Sequence, residues 1–455
     1  MLNIYNTDTA KQGILKRIPM DDMDVPPSVQ ERITSMFGEP LTPAQVVDRI
    51  LRDVRTRGDA ALSEWTEKLD GRKSDRFAIP KAELQAALDS LPSDQRAALE
   101  VAADRVRRFH QAQPVTSWMT QSLGGTVGQY VRPIQRVGIY VPAGTAPLPS
   151  SVLMSAVPAQ VAGVPEIVLV APPTRATGQV APIILATAAL IGIDEVYAVG
   201  GAQAIAALAF GTESVAAVDK IFGPGNLFVT LAKRQVYGVV GIDSLAGPTE
   251  TVVIADDSAR ADWVAADLLA QAEHDEMAAA VLLTPSRELA EKVQVEVGKQ
   301  MEQRSRASVI AVSLERRSGV VLTRDLDEAV ALSNRYAPEH LCLAVRDPWR
   351  LAEKVNAAGG IFVGEHSFEV LGDYVAGPSH VMPTGGSARF SSPVNVLDFV
   401  HIVSLIALDP ATTRKIAPAA QAIALAEGLD AHANAAALRC AEEVDGGPDE
   451  NRRSL

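Results

Sequence analysis

Four polar clusters, far apart along the chain, hold the residue types that acid–base and metal chemistry require. They are Gln271-Ala272-Glu273-His274, Ala337-Pro338-Glu339-His340, the stretch from Gly372 and Asp373 to His380, and the stretch from Glu427 to His432. The chain has 7 His, and His274, His340, His380 and His432 all fall in these clusters. Neutral imidazole ligates zinc and changes charge near neutral pH. So scarce a residue recurring beside carboxylates points to one metal site with a base next to it.

Each cluster also has a blander reading. Gln271 and His274 lie three apart in a predicted helix over 263–277, which puts both on one face. They suit a pair of metal ligands or a solvated helix end, and glutamine is an uncommon zinc ligand. Asp373 and His380 sit in a predicted Gly- and Pro-bearing loop, where polar side chains are ordinarily just solvated. Asp373 offers a hard anionic ligand. His432 is a lone histidine in a predicted helix. Glu339 and His340 follow Pro338, which ends a helix predicted over 325–336. His340 suits a general base, and Glu339 could position or deprotonate a water. The competing reading of that pair is a surface salt bridge. Cys342 could be a thiolate nucleophile beside His340, but an apolar strand context favours inert packing.

These clusters need a scaffold, and the apolar pattern supplies one. Short unalternating runs at 137–141, 167–170 and 196–199 are separated by helical segments, as in parallel strands covered on both faces. A second series follows at 251–254, 280–283, 309–312, 341–345 and 360–363. Two βα series predict two doubly wound units. Glycine-bearing loops at 141–145, 200–203 and 223–226 follow apolar runs and precede helices, where backbone amides can receive a pyrophosphate. None matches a dinucleotide fingerprint or a P-loop. Thr42-Pro43 starts a helix with Val46, Val47, Ile50, Leu51 and Val54 at helical spacing. Ser93 is read as the cap of another helix, to Gln111. Residues 410–443 are Ala-rich and helical, and the tail from Val444 is read as frayed.

Bulk composition excludes several classes. At 455 residues the chain exceeds one hydrophobic core. Hydrophobic residues make 47% and charged residues 21%, as in a soluble globular protein. The net charge of −13 argues against a nucleic-acid partner, which selects a basic face. Cys342 and Cys440 make no disulfide framework and point to a reducing, cytoplasmic setting. No signal peptide is read at residues 1–6. The most apolar stretch, 180–193, is too short to span a bilayer, so no membrane partner is expected.

Together the motifs resemble the histidinol dehydrogenase family from about Arg136 to Ala436. Those that carry the likeness are 140–154 from Tyr140, 200–208 from Gly200, Phe222 to Asn226, Gln271 to His274, Ala337 to Leu341, Gly372 to Pro378 and Glu427 to His432. The resemblance implies two Rossmann-like doubly wound units, a helical N-terminal part and a helical C-terminal segment exchanged across a homodimer. Its domains would be an arm over 1–36, a zinc and base domain over 37–139 plus 250–394, an NAD domain over 140–249, and the exchanged segment over 395–455. It implies one zinc per active site, held by Gln271, His274, Asp373 and a partner's His432. Glu339 and His340 would be the acid–base pair. Thr249, His380 and Glu427 would hold substrate together with the zinc ligands and His340. Tyr140, Gln203 and Asn226 would contact NAD. Ala143 stands where the family usually has Gly, Thr249 where it has Ser, and Ser379 where Asn is common.

The implied reaction is the four-electron oxidation of L-histidinol to L-histidine by two NAD molecules in turn, through bound L-histidinal. It is the last step of histidine biosynthesis. His340 would take the hydroxyl proton as hydride leaves, and Glu339 would activate the water that hydrates the aldehyde. The rivals are a zinc and NAD dehydrogenase of another polyol, such as a sulfonated propanediol, a zinc hydrolase, and a non-catalytic metal-binding scaffold. Glu427 disfavours the first, since a carboxylate repels a sulfonate.

Overall fold

The computed structural model describes residues 2–18, 25, 27–71, 76–142, 147–174 and 177–441. The chain divides into two compact units, one of Met1–Gln113 with Pro133–Phe399 and one of Pro114–Arg132 with Val400–Leu455. Ala143, the tail beyond Val444 and part of the 141–145 loop lie outside the described residues.

Strand β1 (Ile4–Asn6) belongs to the first unit, and β2 (Trp118–Thr120) and β3 (Thr126–Pro133) pair antiparallel. Next come β4 (Arg136–Tyr140), β5 (Glu166–Ala171), β6 (Glu195–Ala198), β7 (Lys220–Phe222) and β8 (Gly241–Ile242). These form a parallel sheet in the order β6-β5-β4-β7-β8. A second parallel sheet uses β9 (Glu250–Ala255), β10 (Ala279–Thr284), β11 (Gly319–Leu322), β12 (His340–Ala344) and β13 (Gly360–Val363). Its order is β1-β11-β10-β9-β12-β13. Leaving β1 aside, the two sheets repeat one winding: the first strand is central, the next two go to one side and the last two to the other. Every residue of β9 and β10 is buried, as unalternating apolar runs require when helices cover both faces.

The helices follow their local chemistry. Thr42 caps the helix Pro43–Arg57 in a reciprocal box with Gln45. Val46, Val47, Ile50, Leu51 and Val54 are buried, each contributing about 1.5–3 kcal/mol. They face the helices Gly201–Phe210 and Leu227–Val236 of the five-stranded sheet. The helix Lys81–Asp89 packs on Pro182–Leu190, and Ser93–Gln111 on Pro149–Ala162. Residues 43–111, expected beside the zinc and base strands, therefore cover the other sheet. β4 is that sheet's central strand, although the expected first domain runs to residue 139.

Other expectations change as well. Residues 309–312 read as a strand from their branched side chains, but they lie in the helix Ala307–Arg316, with Ile310, Ser313 and Leu314 buried. The strand is β11, just beyond. Ser93 is the first residue of its helix, and no side chain caps it. An arm is expected over residues 1–36, yet β1 is an edge strand of the six-stranded sheet.

The second unit holds the sheet β14-β3-β2, with β14 (Val400–Ala407), and the helices Pro410–Ala426 and Asp430–Ala441, which pack on each other. It takes residues 114–132 into what was expected to be a purely C-terminal segment, and gives 395–399 to the first unit. β14 is apolar and mostly exposed, with Ile402, Val403 and Ile406 open to solvent. Among the described residues no helix is long and apolar enough to cross a membrane.

Candidate active site

Glu250 and His340 open β9 and β12, neighbouring strands in parallel register. Both therefore lie at the amino edge of the six-stranded sheet. The helix Leu326–Tyr336 ends at Ala337, whose left-handed backbone (φ 51°) turns the chain before Pro338. Glu339 and His340 follow directly and are buried. The helix Ala261–Ala272 returns from β9 to this edge and carries Gln271 in its last turn. It stops short of the expected 277, so His274 stands just past its end. Asp373 was expected in a loop but occupies the last turn of the helix Glu369–Tyr374.

A relay of hydrogen bonds fixes the polar groups. Gln271 Nε2 donates to Thr249 Oγ1 at 2.8 Å, and Thr249 Oγ1 donates to Glu339 Oε2 at 2.5 Å. The Glu250 N–H donates to the same Glu339 oxygen at 3.0 Å. Because the hydroxyl's one proton goes to Glu339, it can only accept from Gln271, which orients the amide. Gln271 Oε1 is then a buried acceptor without a protein donor. His340 Nδ1 lies 3.3 Å from the Glu250 carbonyl, which can only accept, so the proton belongs on Nδ1. His340 Nε2 is left as a buried lone pair without a hydrogen-bond partner, 3.7 Å from Asp373 Oδ1. His380 Nδ1 likewise donates to the Asp373 carbonyl at 2.8 Å, and its Nε2 stands 3.5 Å from Ser151 Oγ.

Burial tunes these groups. It raises the Glu339 carboxyl to about 7, against the opposing effects of His340, the Thr249 hydroxyl and the Glu250 N–H. Glu369, 2% exposed, is pushed well above the usual carboxylate range by burial and by the charge of Asp373. Its Oε1 lies 3.9 Å from His340 Nδ1. Burial lowers His380, and Asp373 opposes that by charge. His274 keeps solvent access; even so, the protein packed around its ring lowers its proton affinity, against Asp373. The Cys342 thiol is buried and pushed well up, which fits packing and not a thiolate nucleophile. Both cysteines are free.

Gln271, His274, Thr249, Glu339, His340, Asp373 and His380 thus form one neighbourhood. Glu427 and His432 belong to the second unit and are exposed there. Among the described residues no group of three or more His, Cys, Asp or Glu could hold a metal ion. The donor set still fits zinc: an orphaned amide oxygen, an imidazole and a carboxylate, with a fourth position left to fill. Glu250, Glu369 and Ser151 were not singled out from sequence. The legible signal for Glu250 was a charged residue heading an otherwise apolar strand.

The carboxyl edge of the five-stranded sheet carries the second group. Tyr140 ends β4, Gly201 starts the helix after β6, and Asn226 caps the helix after β7. The Gly201 N–H donates to Tyr140 Oη at 3.3 Å, and burial raises the Tyr140 hydroxyl to about 12. Gln203 is fully buried; its Nε2 donates to Asp70 at 3.1 Å and its Oε1 has no partner. Asn226 Oδ1 accepts from the Phe228 and Val229 amides. Gly223 has φ 106°, and a Cβ there would stand 2.1 Å from the Tyr140 carbonyl oxygen, so only glycine fits. Lys233, 2% exposed, pins this loop through the Gly223 carbonyl at 2.9 Å and the buried Asp243 carboxylate. Asp243 in turn accepts from the Gly223 N–H at 2.8 Å.

Doubly wound sheets with buried proton-transfer groups and glycine-lined strand ends have the character of a dehydrogenase. The chain matches the histidinol dehydrogenase family model over residues 40–440. It is 57% identical over 417 residues to a histidinol dehydrogenase of Deinococcus radiodurans, covering 91% of this chain and 95% of that one. A histidinol dehydrogenase of Moorella thermoacetica is 52% identical over 86% of this chain and 93% of its own. A crystal structure of histidinol dehydrogenase from Elizabethkingia anophelis superposes with a TM-score of 0.88 at 34% identity, covering 96% of this chain and 98% of that one. The chain belongs to the histidinol dehydrogenase family of oxidoreductases.

Proposed function

We propose that the protein oxidises L-histidinol to L-histidine in histidine biosynthesis, in two successive NAD-dependent steps on one zinc-anchored substrate. The observation that carries this reading is the relay from Gln271 through Thr249 to Glu339. It leaves one buried acceptor, Gln271 Oε1, for a cation, while the Glu250 carbonyl leaves one buried base, His340 Nε2, next to Asp373. When bound, zinc supplies a fixed anchor for the substrate's imidazole and amino nitrogens, and NAD supplies the hydride acceptor.

Gln271, His274 and Asp373 would hold the metal, with His432 of a second copy as the fourth ligand. His340 Nε2 takes the proton of the substrate hydroxyl as the carbinol hydrogen departs as hydride. The imidazolium that forms stays aligned by its Nδ1–H bond to the Glu250 carbonyl. After the aldehyde forms, Glu339 accepts a proton from water as the water adds to the carbonyl carbon. His340, having released its first proton, then takes the hydrate's hydroxyl proton in the second oxidation. His380, and Glu427 of the second copy, would bind the substrate's polar ends. Tyr140, Gln203 and Asn226 would line the NAD site, at the amino end of the helix Gly201–Phe210, whose N-cap Gly200 has no side chain to cap it.

The exposed apolar face of β14 and the exposed Ile423 and Leu425 support a homodimer in which the second unit is exchanged. The two free cysteines fit a reducing, cytoplasmic setting. The test is a histidinol-dependent NADH assay before and after chelation, counting NADH per histidine formed. Two NADH per histidine, lost on chelation and restored by zinc, is expected. Turnover without nicotinamide reduction would mean a zinc hydrolase, and reduction with a sulfonated propanediol alone would mean a different substrate. Mixing His432→Ala with His340→Asn chains tests the shared site: activity returns on mixing if the ligand crosses the interface.

A further inference from the structure

We propose that Arg17, in the N-terminal segment, is a positioning residue for the Glu339–His340 pair and acts on it through Glu250. The inference rests on the acid–base reading of that pair.

Arg17 grips the turn that presents the pair. Its Nε donates to the Tyr336 carbonyl at 2.8 Å, and its Nη2 to the Ala337 carbonyl at 3.2 Å. Its guanidinium carbon lies 3.5 Å from the centroid of the Tyr336 ring. Ala337 is the one non-glycine residue with positive φ among the described residues, and Pro338 follows it. A backbone in that region persists only when its surroundings hold it, and Arg17 holds both carbonyls that flank the bend.

Arg17 also forms a two-point ion pair with Glu250, whose side chain is 4% exposed. The Gly385 N–H donates to the same carboxylate at 2.9 Å. A carboxylate this deeply buried needs partners to hold it in place. The backbone of Glu250 does the rest. Its N–H holds Glu339 Oε2, and its carbonyl holds His340 Nδ1. Fixing the Glu250 side chain therefore fixes the two backbone atoms that set the carboxylate angle of Glu339 and the tautomer of His340. Lysine cannot replace this fork, since it offers no planar set of donors for two carbonyls and a carboxylate at once.

The experiment compares Arg17→Ala, Arg17→Lys and Glu250→Gln in the full-length zinc-loaded enzyme, with histidinol and NAD varied. Arg17→Ala is expected to lower kcat on the order of 10²-fold, with both KM values and zinc content nearly unchanged. Low-millimolar guanidinium should restore part of kcat, and Arg17→Lys and Glu250→Gln should fall between. Unchanged kcat per folded chain overturns the proposal, as does a loss of kcat and Tm together that guanidinium does not repair. Arg17→Lys supplies the same test if the alanine variant does not fold. His340→Asn, run in parallel, separates the two readings. Lost turnover there with normal kcat in Arg17→Ala overturns the clamp alone, whereas normal turnover in His340→Asn overturns both.

Discussion

The two parallel sheets of the first unit share a winding order but present their candidate residues at opposite ends. The five-stranded sheet follows the general rule for open α/β sheets: Tyr140, Gly201 and Asn226 gather at its carboxyl edge, where the strand order reverses between β4 and β7. The six-stranded sheet reverses between β9 and β12 in the same way, yet Glu250 and His340 head those strands and Gln271 returns to the same, amino edge. The bonding differs too. At the five-stranded sheet, the Asn226 side chain caps a helix and the Tyr140 hydroxyl receives an amide proton. At the six-stranded sheet, Gln271 Oε1, His340 Nε2 and Glu369 Oε2 are buried with no partner. One edge offers a shaped backbone surface with, among the described residues, a single such atom, Gln203 Oε1; the other holds several. A repeated fold thus fixes the scaffold without fixing which end is used.

The sharpest way to break this contrast is His340→Asn. It should lower kcat by about 10²–10⁴-fold while zinc content, measured by atomic absorption, stays near one per chain. Next comes Glu339→Gln. In single-turnover experiments it should slow oxidation of added histidinal more than oxidation of histidinol. Because burial raises Glu339 to about 7, the aldehyde step in the unmodified enzyme should rise with pH through that value, as the carboxylate forms. The glutamine variant should lose that limb, and equal slowing of both steps would remove Glu339 from water activation. On the five-stranded side the effects should be smaller and confined to the cofactor. Gln203→Ala should raise the KM for NAD about 10-fold, the worth of one hydrogen bond, with kcat within a factor of about two.

The smallest effect concerns stability. Asp267 is raised to about 7, first by burial and then by Glu365. Its contribution to stability is complete below the unfolded carboxyl value near 3.8 and is lost as pH climbs through about 7. Asp267→Asn should therefore melt higher than the parent above pH 7 and alike below pH 4, by calorimetry. A Tm difference independent of pH would contradict this.

How much of this was legible in the chain depended on the range of the signal. Parallel strands announced themselves as unalternating apolar runs, and Thr42-Pro43 announced its helix, because both signals are local. The run at 309–312 misled because branched residues read alike in a buried strand and on a buried helix face. Residues 43–111 were given to the wrong sheet, since an apolar helix face does not say which sheet it will cover. His340 and Glu339 stood out as a polar pair after a proline. Gln271 did not stand out by type, and only the motif around it drew attention. The physical reason for an amide there, a hydroxyl that fixes its orientation, needs Thr249 from 22 residues away. Arg17 carried no signal, because its partners Glu250 and Tyr336 lie 233 and 319 residues distant.

β1 has one more implication. Ile4 pairs with Val320, so this strand joins a neighbour made about 300 residues later. At about 5–20 residues per second the emerging segment waits roughly 15–60 s for that neighbour. Until then β11 is unmade, Leu2 has no core to enter, and the six-stranded sheet cannot close its border. The newborn chain should therefore lean on holding chaperones longest at this strand.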